Sequence, residues 1–484
     1  MPNTTAKGFF WVSVEKIGAL GIQFIGIMVL ARLVGPDEFG LIGVLSIFIA
    51  VANMLVDSGM GGSLVKESSV TNDDYDTLFI YNGAISIASY AILFFFAPIV
   101  SVFYNEPRLV LLLRVLGISI IFTALSITQN IKLLRDLKFR EMAIISITSA
   151  LLSTGVAVGL ALAETGVWAL VAQTVSHSLF TSVGMFMLVR YVPKMNFDKV
   201  SFRKQFFYGI NILGANLINT IKNNISNSVV GKLFSIEVTG YYAQAGKLEG
   251  VENNIIVSII DKAIFPIVSK EATLKNRISR TFELASYTYL LAFPLWAYSF
   301  VMAESLIMTI LGDKWAESVW MFALLCIAGP FYTIAANLRN VFRTTGDTQV
   351  ILRVNTISAI VSIALIIGLG FLSLRCLIYG VIVSAALPTI LFMWNVQKLY
   401  DYPIWRQIAV TASSLLPSCV AGGLLYLLVK LIPMMENGVL GLGLSFVIMA
   451  VLSFLLFLVF KNKEFLEIVS RLKKINPTNE NRFS

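Results

Sequence analysis

Charge is scarce in this 484-residue chain: 13% of its residues are Asp, Glu, Lys or Arg, about half the roughly 25% of ordinary soluble domains. With 57% hydrophobic residues, that scarcity excludes a soluble globular protein. Cysteine and histidine are scarcer still, at three and one. Cys326, Cys376 and Cys419 sit in apolar stretches without short ligand spacing, so neither a disulfide framework nor a metal site is expected, and they read as packing residues. His177 lies in the apolar run 167–189 with no second histidine or cysteine nearby, which suits a hydrogen-bonded interior imidazole better than a ligand or proton relay. No cofactor is expected. Residues 1–8 carry one lysine, and the long apolar run that follows shows no small-residue cleavage pattern, so no cleavable signal peptide is expected.

What the chain has instead is a nearly continuous series of hydrophobic runs, each of about the 20 residues that span a bilayer. Breaks at charge, Gly/Pro and short polar stretches predict fourteen helices, at 9–32, 39–59, 77–103, 108–131, 141–163, 167–189, 205–230, 238–261, 281–303, 316–338, 348–371, 376–397, 407–430 and 439–460. The fold class is an all-α integral membrane protein. The seventh and eighth stretches are the most polar, being rich in Asn, Lys and Glu. The net charge of +9 then reflects the accumulation of Lys and Arg on cytoplasmic loops rather than a nucleic-acid partner. Of the 37 basic residues, 26 fall on one alternate set of connections and ends, six on the other and five inside spans. This predicts both termini on the cytoplasmic side. External connections are short, leaving no room for an extramembrane catalytic domain. After the last span, Phe465, Ile468, Val469 and Leu472 recur at helical spacing with basic residues opposite, as in a helix lying on the membrane surface.

Sliding the chain on itself by 200 residues aligns Ala31-Arg-Leu-Val-Gly-Pro-Asp-Glu-Phe-Gly40 with Gly231-Lys-Leu-Phe-Ser-Ile-Glu-Val-Thr-Gly240. At a shift of 210, Phe122-Thr123 and Asn130 meet Tyr332-Thr333 and Asn340. Both matches set stretches one to six on seven to twelve. The expected organisation is a six-helix bundle at 1–200, its repeat at 201–400, two extra helices at 401–460 and a cytoplasmic amphipathic tail at 461–484. Repeated halves of this kind enclose a cavity that opens alternately to each side.

Polar residues inside spans are costly and by default face a water-filled path. Asn216, Asn219, Asn223 and Asn227 share one helical face, with Lys222 beside it. The 200-residue shift sets Lys16 and Gln23 opposite Asn216 and Asn223. Asn53, Gln244, Lys247 and Asn254 complete the candidate lining. Carboxamides offer donors and acceptors suited to sugar hydroxyls, and lysine suits phosphate; alternatively, these residues bridge helices. Glu15, Asp57, Glu249, Glu252 and Glu283 are candidates for binding a coupling ion, although Glu15 and Lys16 could instead neutralise each other. Pro294, Pro330, Pro388 and Pro417 fall within spans and are candidate kinks.

The segments 31–41 (Ala-Arg-Leu-Val-Gly-Pro-Asp-Glu-Phe-Gly-Leu), Asp57-Ser-Gly-Met60, Leu133-Leu-Arg-Asp-Leu-Lys-Phe-Arg140, Thr239-Gly-Tyr-Tyr-Ala-Gln-Ala-Gly-Lys247 and Leu311-Gly-Asp-Lys-Trp315 carry a resemblance. The chain resembles the Wzx-type polysaccharide transporter, or flippase, family of the multidrug/oligosaccharidyl-lipid/polysaccharide (MOP) superfamily, in the branch with the colanic acid and teichuronic acid exporters. The resemblance implies two six-helix bundles in a V-shaped arrangement with two further C-terminal helices. It also implies a bacterial inner-membrane protein that moves undecaprenyl-diphosphate-linked oligosaccharide from the cytoplasmic to the periplasmic leaflet. Its partners would be that lipid-linked substrate, membrane lipids, and a polysaccharide polymerase and chain-length regulator. The rival readings are an ion-coupled multidrug exporter of the same superfamily, centred on membrane-embedded acids, and a non-transporting scaffold of a polysaccharide assembly complex. A membrane glycosyltransferase or polymerase would need a long external loop with catalytic residues, and none is present.

Overall fold

The structure is a computed structural model that describes residues 2–67, 69–189, 191–435, 438–460, 462 and 465–466. Fourteen helices of 22 residues or more dominate these: α1 (Pro2–Leu33), α2 (Pro36–Asp57), α3 (Asn72–Tyr104), α4 (Arg108–Arg135), α5 (Phe139–Leu162), α6 (Val167–Val189), α7 (Lys199–Leu233), α8 (Ile236–Ile259), α9 (Leu274–Val301), α10 (Ser318–Thr345), α11 (Thr348–Gly370), α12 (Leu374–Tyr400), α13 (Ile404–Leu431) and α14 (Gly438–Val459). Each overlaps one expected hydrophobic stretch, and no strand occurs among the described residues. Eleven are long and apolar enough to cross a membrane. The other three, α6 to α8, carry polar residues that interrupt their apolar runs. The chain is a multi-pass membrane protein. Phe95, Val102 and Leu440, more than three-quarters exposed, fit acyl chains as their solvent. Most of the expected surface helix after 460 lies outside the described residues, although Phe465 packs on Phe454 and Phe457.

Local chemistry sets the helix ends. Pro36 opens α2, followed by Asp37 and Glu38 in its first turn, where an imino acid and negative charge suit the free N–H groups and the positive end of the dipole. Thr71 and Asp74 cap α3 reciprocally: the Thr71 N–H donates to Asp74 Oδ2 at 2.8 Å and the Asp74 N–H to Thr71 Oγ1 at 3.3 Å. Asp198 accepts from the Ser201 and Val200 N–H groups at 2.9 and 3.2 Å, and the Ser201 contact foremost holds its carboxyl below the usual carboxylate range. At the end of α2, Ser58 (φ 36°) and Gly59 (φ 70°) break the helix before the short helix Met60–Lys66 begins.

The chain forms two compact units, Met1–Ala243 and Gln244–Ser484. In the first, Leu41, Val44 and Leu45 of α2 meet Val100 and Tyr104 of α3, Leu109 and Leu112 of α4, and Val171 of α6. Within it α7 packs on α2, on Met60–Lys66 and on α3. Gly209 makes that approach possible: a Cβ there would stand 2.6 Å from the Ser58 carbonyl oxygen. The connection between α6 and α7 is tied back to α3, because Tyr191 donates to the Asp76 carboxylate while Lys132 lies 4.3 Å from the centre of its ring. Burial, and then that carboxylate, push the Tyr191 phenol upward.

In the second unit Phe282, Tyr289 and Phe293 of α9 pack with Leu338 and Phe342 of α10 and Phe392 of α12. The C-terminal pair docks on the same α9: Tyr298 joins Leu425 of α13 and Met449 of α14, and its hydroxyl donates to the Leu442 carbonyl at 2.9 Å. Gly329 of α10 lets the ring of Trp296 lie against the backbone, since a Cβ there would meet the indole at 2.1 Å. Trp296 Nε1 then donates to Thr333 Oγ1 at 3.2 Å.

Candidate functional site

The candidate residues fall into both units. In the first, α7 spans Lys199–Leu233 and presents Asn216 and Asn223 exposed, with Asn219, Lys222 and Asn227 half-buried. The stripe is therefore accessible along its length rather than sealed between helices. Asn224, one position off it, spends its amide on its own helix by donating to the Thr220 carbonyl at 2.9 Å. On α1, Lys16 and Gln23 are exposed and Glu15 is half-buried, with the Lys16 charge acting on the Glu15 carboxyl. Neither Lys16 nor Lys222 forms an ion pair among the described residues. On α2, Asp57 is exposed at the helix end, whereas Asn53 points its Oδ1 into the protein without a hydrogen-bond partner.

In the second unit Gln244 is fully buried, with neither amide atom partnered. Lys247 and Asn254 are exposed, and Glu249 is half-buried. Glu252 is 9% exposed, and Ser299 of α9 hydrogen-bonds its side chain. The structure thus brings Glu249 and Glu252 within electrostatic range of each other. Glu283 is different: Arg280 pairs with it at i, i+3, so its charge is already compensated near the start of α9. His177 hydrogen-bonds the Ser149 backbone, and Cys326 is buried, Cys376 half-buried and Cys419 exposed.

Several polar side chains escaped the sequence reading. Asn82 of α3 and Gln129 of α4 are fully buried, and none of their amide atoms has a partner. On α10, Asn337 donates to the Thr333 carbonyl at 3.1 Å, while Arg343 donates to Asp261 at 2.6 Å and to Asn340 at 3.2 Å. The 210-residue match of Asn130 with Asn340 does not extend to environment, since the first is exposed and the second buried. Arginine spacing at the ends of α4 and α10 was the available signal: Arg135, like Arg343, reaches the segment that follows a broken helix, donating to the Leu64 and Glu67 carbonyls.

Chemically, these segments set carboxamide donors and acceptors and ammonium groups on otherwise apolar helices, groups of the kind that suit hydroxyls and anions.

Comparison with known proteins gives a consistent picture. A family model described as "Polysaccharide biosynthesis protein" matches residues 29–320. The succinoglycan biosynthesis transport protein ExoT of Rhizobium meliloti (strain 1021) is 26% identical over 333 residues, 67% of this chain and 66% of that one. The lipopolysaccharide biosynthesis protein WzxC of Escherichia coli (strain K12) is 24% identical over 372 residues, 75% of each. The chain thus spans about two thirds to three quarters of these relatives. Among solved structures, the lipid II flippase MurJ in an inward closed conformation superposes with a TM-score of 0.75 at 14% identity, covering 94% of this chain and 99% of that one. At that identity the likeness establishes the fold.

Proposed function

Because this chain belongs to the polysaccharide biosynthesis protein family, we propose that it is a flippase that carries a lipid-linked polysaccharide precursor across the membrane. The cargo is an undecaprenyl-diphosphate-linked oligosaccharide, taken from the cytoplasmic to the periplasmic leaflet of a bacterial inner membrane by alternating access. It feeds assembly of O-antigen, capsule or exopolysaccharide. Both termini lie in the cytoplasm, and a polymerase and a chain-length regulator receive the product.

The observation that carries this reading is the concentration of polar side chains on α7 and α8, within a chain that is otherwise apolar helix. Asn216, Asn219, Asn223 and Asn227, with Lys222, keep one accessible stripe on α7, and Gln23 and Lys16 lie exposed on α1. In this reading the carboxamides meet sugar hydroxyls, Lys16, Lys222 and Lys247 each offer a positive charge that a diphosphate can meet, and the polyprenyl chain stays among the lipids. The scarcity of charge and the short external connections support transport rather than catalysis.

The test is reconstitution in liposomes with a labelled undecaprenyl-diphosphate oligosaccharide, with leaflet exposure read by a membrane-impermeant enzyme. Protein-dependent exposure is the expected result. Gradient-driven efflux of a cationic dye without any movement of the lipid-linked sugar would replace this reading with a drug exporter.

A further inference from the structure

The connection between α12 and α13 borders an open cavity of about 490 Å³ lined by Trp394, Gln397, Lys398, Asp401 and Pro403, within the roughly 300–1,000 Å³ of small-molecule sites. It lies where two helices long and apolar enough to cross a membrane end, at the level of the lipid headgroups. The turn beside it is fixed from several sides. The Asp401 N–H donates to the Gln397 carbonyl at 3.1 Å, and the Ile404 N–H donates to Gln397 Oε1 at 3.2 Å. Buried Gln407 of α13 donates to the Met393 and Tyr402 carbonyls at 3.1 and 3.0 Å, and Tyr402 stacks on Phe282 of α9.

Two opposite charges share this cavity without pairing. Lys398 and Asp401 are both exposed, and neither forms an ion pair among the described residues. Lys398 Nζ stands 5.0 Å from the centre of the Trp394 ring. A lysine in the last turn of α12 suits that helix's dipole, but the same dipole disfavours an acid directly after it. The Asp401 carboxylate does not cap α13 either. Trp405 and Arg406, a second aromatic–cation pair at 5.2 Å, are ordinary interface anchors and lie outside the cavity. Val383, Ile390, Trp394 and Lys398 follow one face of α12, and all four are exposed. Toward the helix end that face passes from aliphatic to aromatic to cationic, the polarity order of a phospholipid from acyl chain to phosphate.

We propose that this cavity binds the headgroup of a bilayer phospholipid that carries a primary ammonium, as phosphatidylethanolamine does. Lys398 meets the phosphate, Asp401 accepts hydrogen bonds from the ammonium, and the acyl chains run along Ile390 and Val383. An anionic headgroup would satisfy Lys398 but set like charge against Asp401, and a trimethylated ammonium has no N–H to donate to that carboxylate. A zwitterion with N–H donors answers both charges at once. The site does not depend on what the protein transports.

Native mass spectrometry tests the site on the purified full-length protein, equilibrated in detergent with an equimolar mixture of phosphatidylethanolamine, phosphatidylglycerol and phosphatidylcholine. The expected result is preferential retention of phosphatidylethanolamine. Lys398→Gln and Asp401→Asn should each lower that retention about three- to tenfold, through the loss of one charged hydrogen bond, and Arg406→Gln should leave it unchanged. Asparagine tolerates a left-handed conformation such as the φ of 53° at position 401, so Asp401→Asn removes the charge and keeps the turn. Should Lys398→Gln fail to yield monodisperse protein, Asp401→Asn decides alone. Preferential retention of phosphatidylglycerol, lowered by Lys398→Gln and indifferent to Asp401→Asn, would overturn the proposal in favour of an anionic lipid. Equal retention of the three lipids, or a phosphatidylethanolamine preference that survives Asp401→Asn, would reduce the cavity to ordinary bilayer contact.

Discussion

Gly40 and Gly240 stand in reciprocal contact. A Cβ on Gly40 would fall 1.8 Å from the Ile236 carbonyl oxygen, and one on Gly240 would fall 1.8 Å from the Pro36 carbonyl oxygen. A shift of 200 residues exchanges the two contacts, so the first turns of α2 and α8 cross about a local two-fold relation. Small residues let backbones approach this tightly in membrane proteins, where close contact replaces the hydrophobic effect as the force between helices. The repeated segments therefore have a physical role: each supplies the glycine onto which the other's first turn fits.

Adding one methyl group at either position should destabilise the protein to a similar degree, by about 1–3 kcal/mol or more, because a rigid carbonyl cannot step aside as a side chain can. Gly43→Ala is the milder comparison, since its Cβ would meet Thr239 Cγ2 at 3.2 Å. Thermal unfolding of the purified protein should rank Gly40→Ala and Gly240→Ala together and below Gly43→Ala. A neutral result for either outer glycine would mean that the crossing is looser than described.

Eleven helices were legible as bilayer-crossing runs because hydrophobic length is a local property. The partners of α7 were not. Its place against α2 and α3 depends on Gly209 meeting the break at Ser58, a coincidence of two distant segments that no window of sequence contains. The candidate site divides in the same way. The Asn stripe on α7 is periodic and could be read, whereas Asn82 and Gln129 are single amides in apolar runs, where composition does not distinguish a buried group from an accessible one. Arg280 and Glu283 show the converse: their i, i+3 spacing was visible, and weighing it would have removed Glu283 from the coupling candidates.

Arg343 ties α10 to the segment after α8. Its guanidinium lies 2.6 Å from Asp261 and over the Phe265 ring at 4.6 Å. Both charged side chains are about one-third exposed, so a double-mutant cycle with Arg343→Gln and Asp261→Asn should return a coupling of about 1 kcal/mol rather than a buried pair's several. Arg343→Lys should recover little, because the planar group is also what covers the ring. A coupling of zero would assign the arginine to stacking alone.

The break at the end of α2 should be intolerant of side chains. Gly59 holds φ at 70°, a region that costs an L-residue about 1–2 kcal/mol, so Gly59→Val should lower the unfolding midpoint. Gly209→Val should do so through a different mechanism, by forcing α7 off Ser58. Hydrogen exchange separates the two: the first loosens 57–66, the second also loosens the middle of α7. Identical exchange patterns would show that the break and the contact are one cooperative feature.

Lysine at the proposed phosphate positions makes a graded prediction. A charged hydrogen bond contributes about 1.5–3 kcal/mol, so each of Lys16→Gln, Lys222→Gln and Lys247→Gln should weaken the apparent affinity for diphosphate-linked cargo about tenfold or more. The maximal rate should fall less, since glutamine keeps a polar group of similar reach. Lys222 forms no ion pair among the described residues, so removing its charge leaves no described ion-pair partner stranded, whereas Lys16→Gln also removes the charge that acts on Glu15; monodispersity on size exclusion is the control for both. Raising the salt concentration should weaken binding to the wild type more than to the triple variant, because fewer charges remain to be screened. A triple variant that flips the labelled oligosaccharide with wild-type affinity and the same salt response would place the diphosphate elsewhere. The half-buried Arg339 of α10 would then be the first residue to substitute.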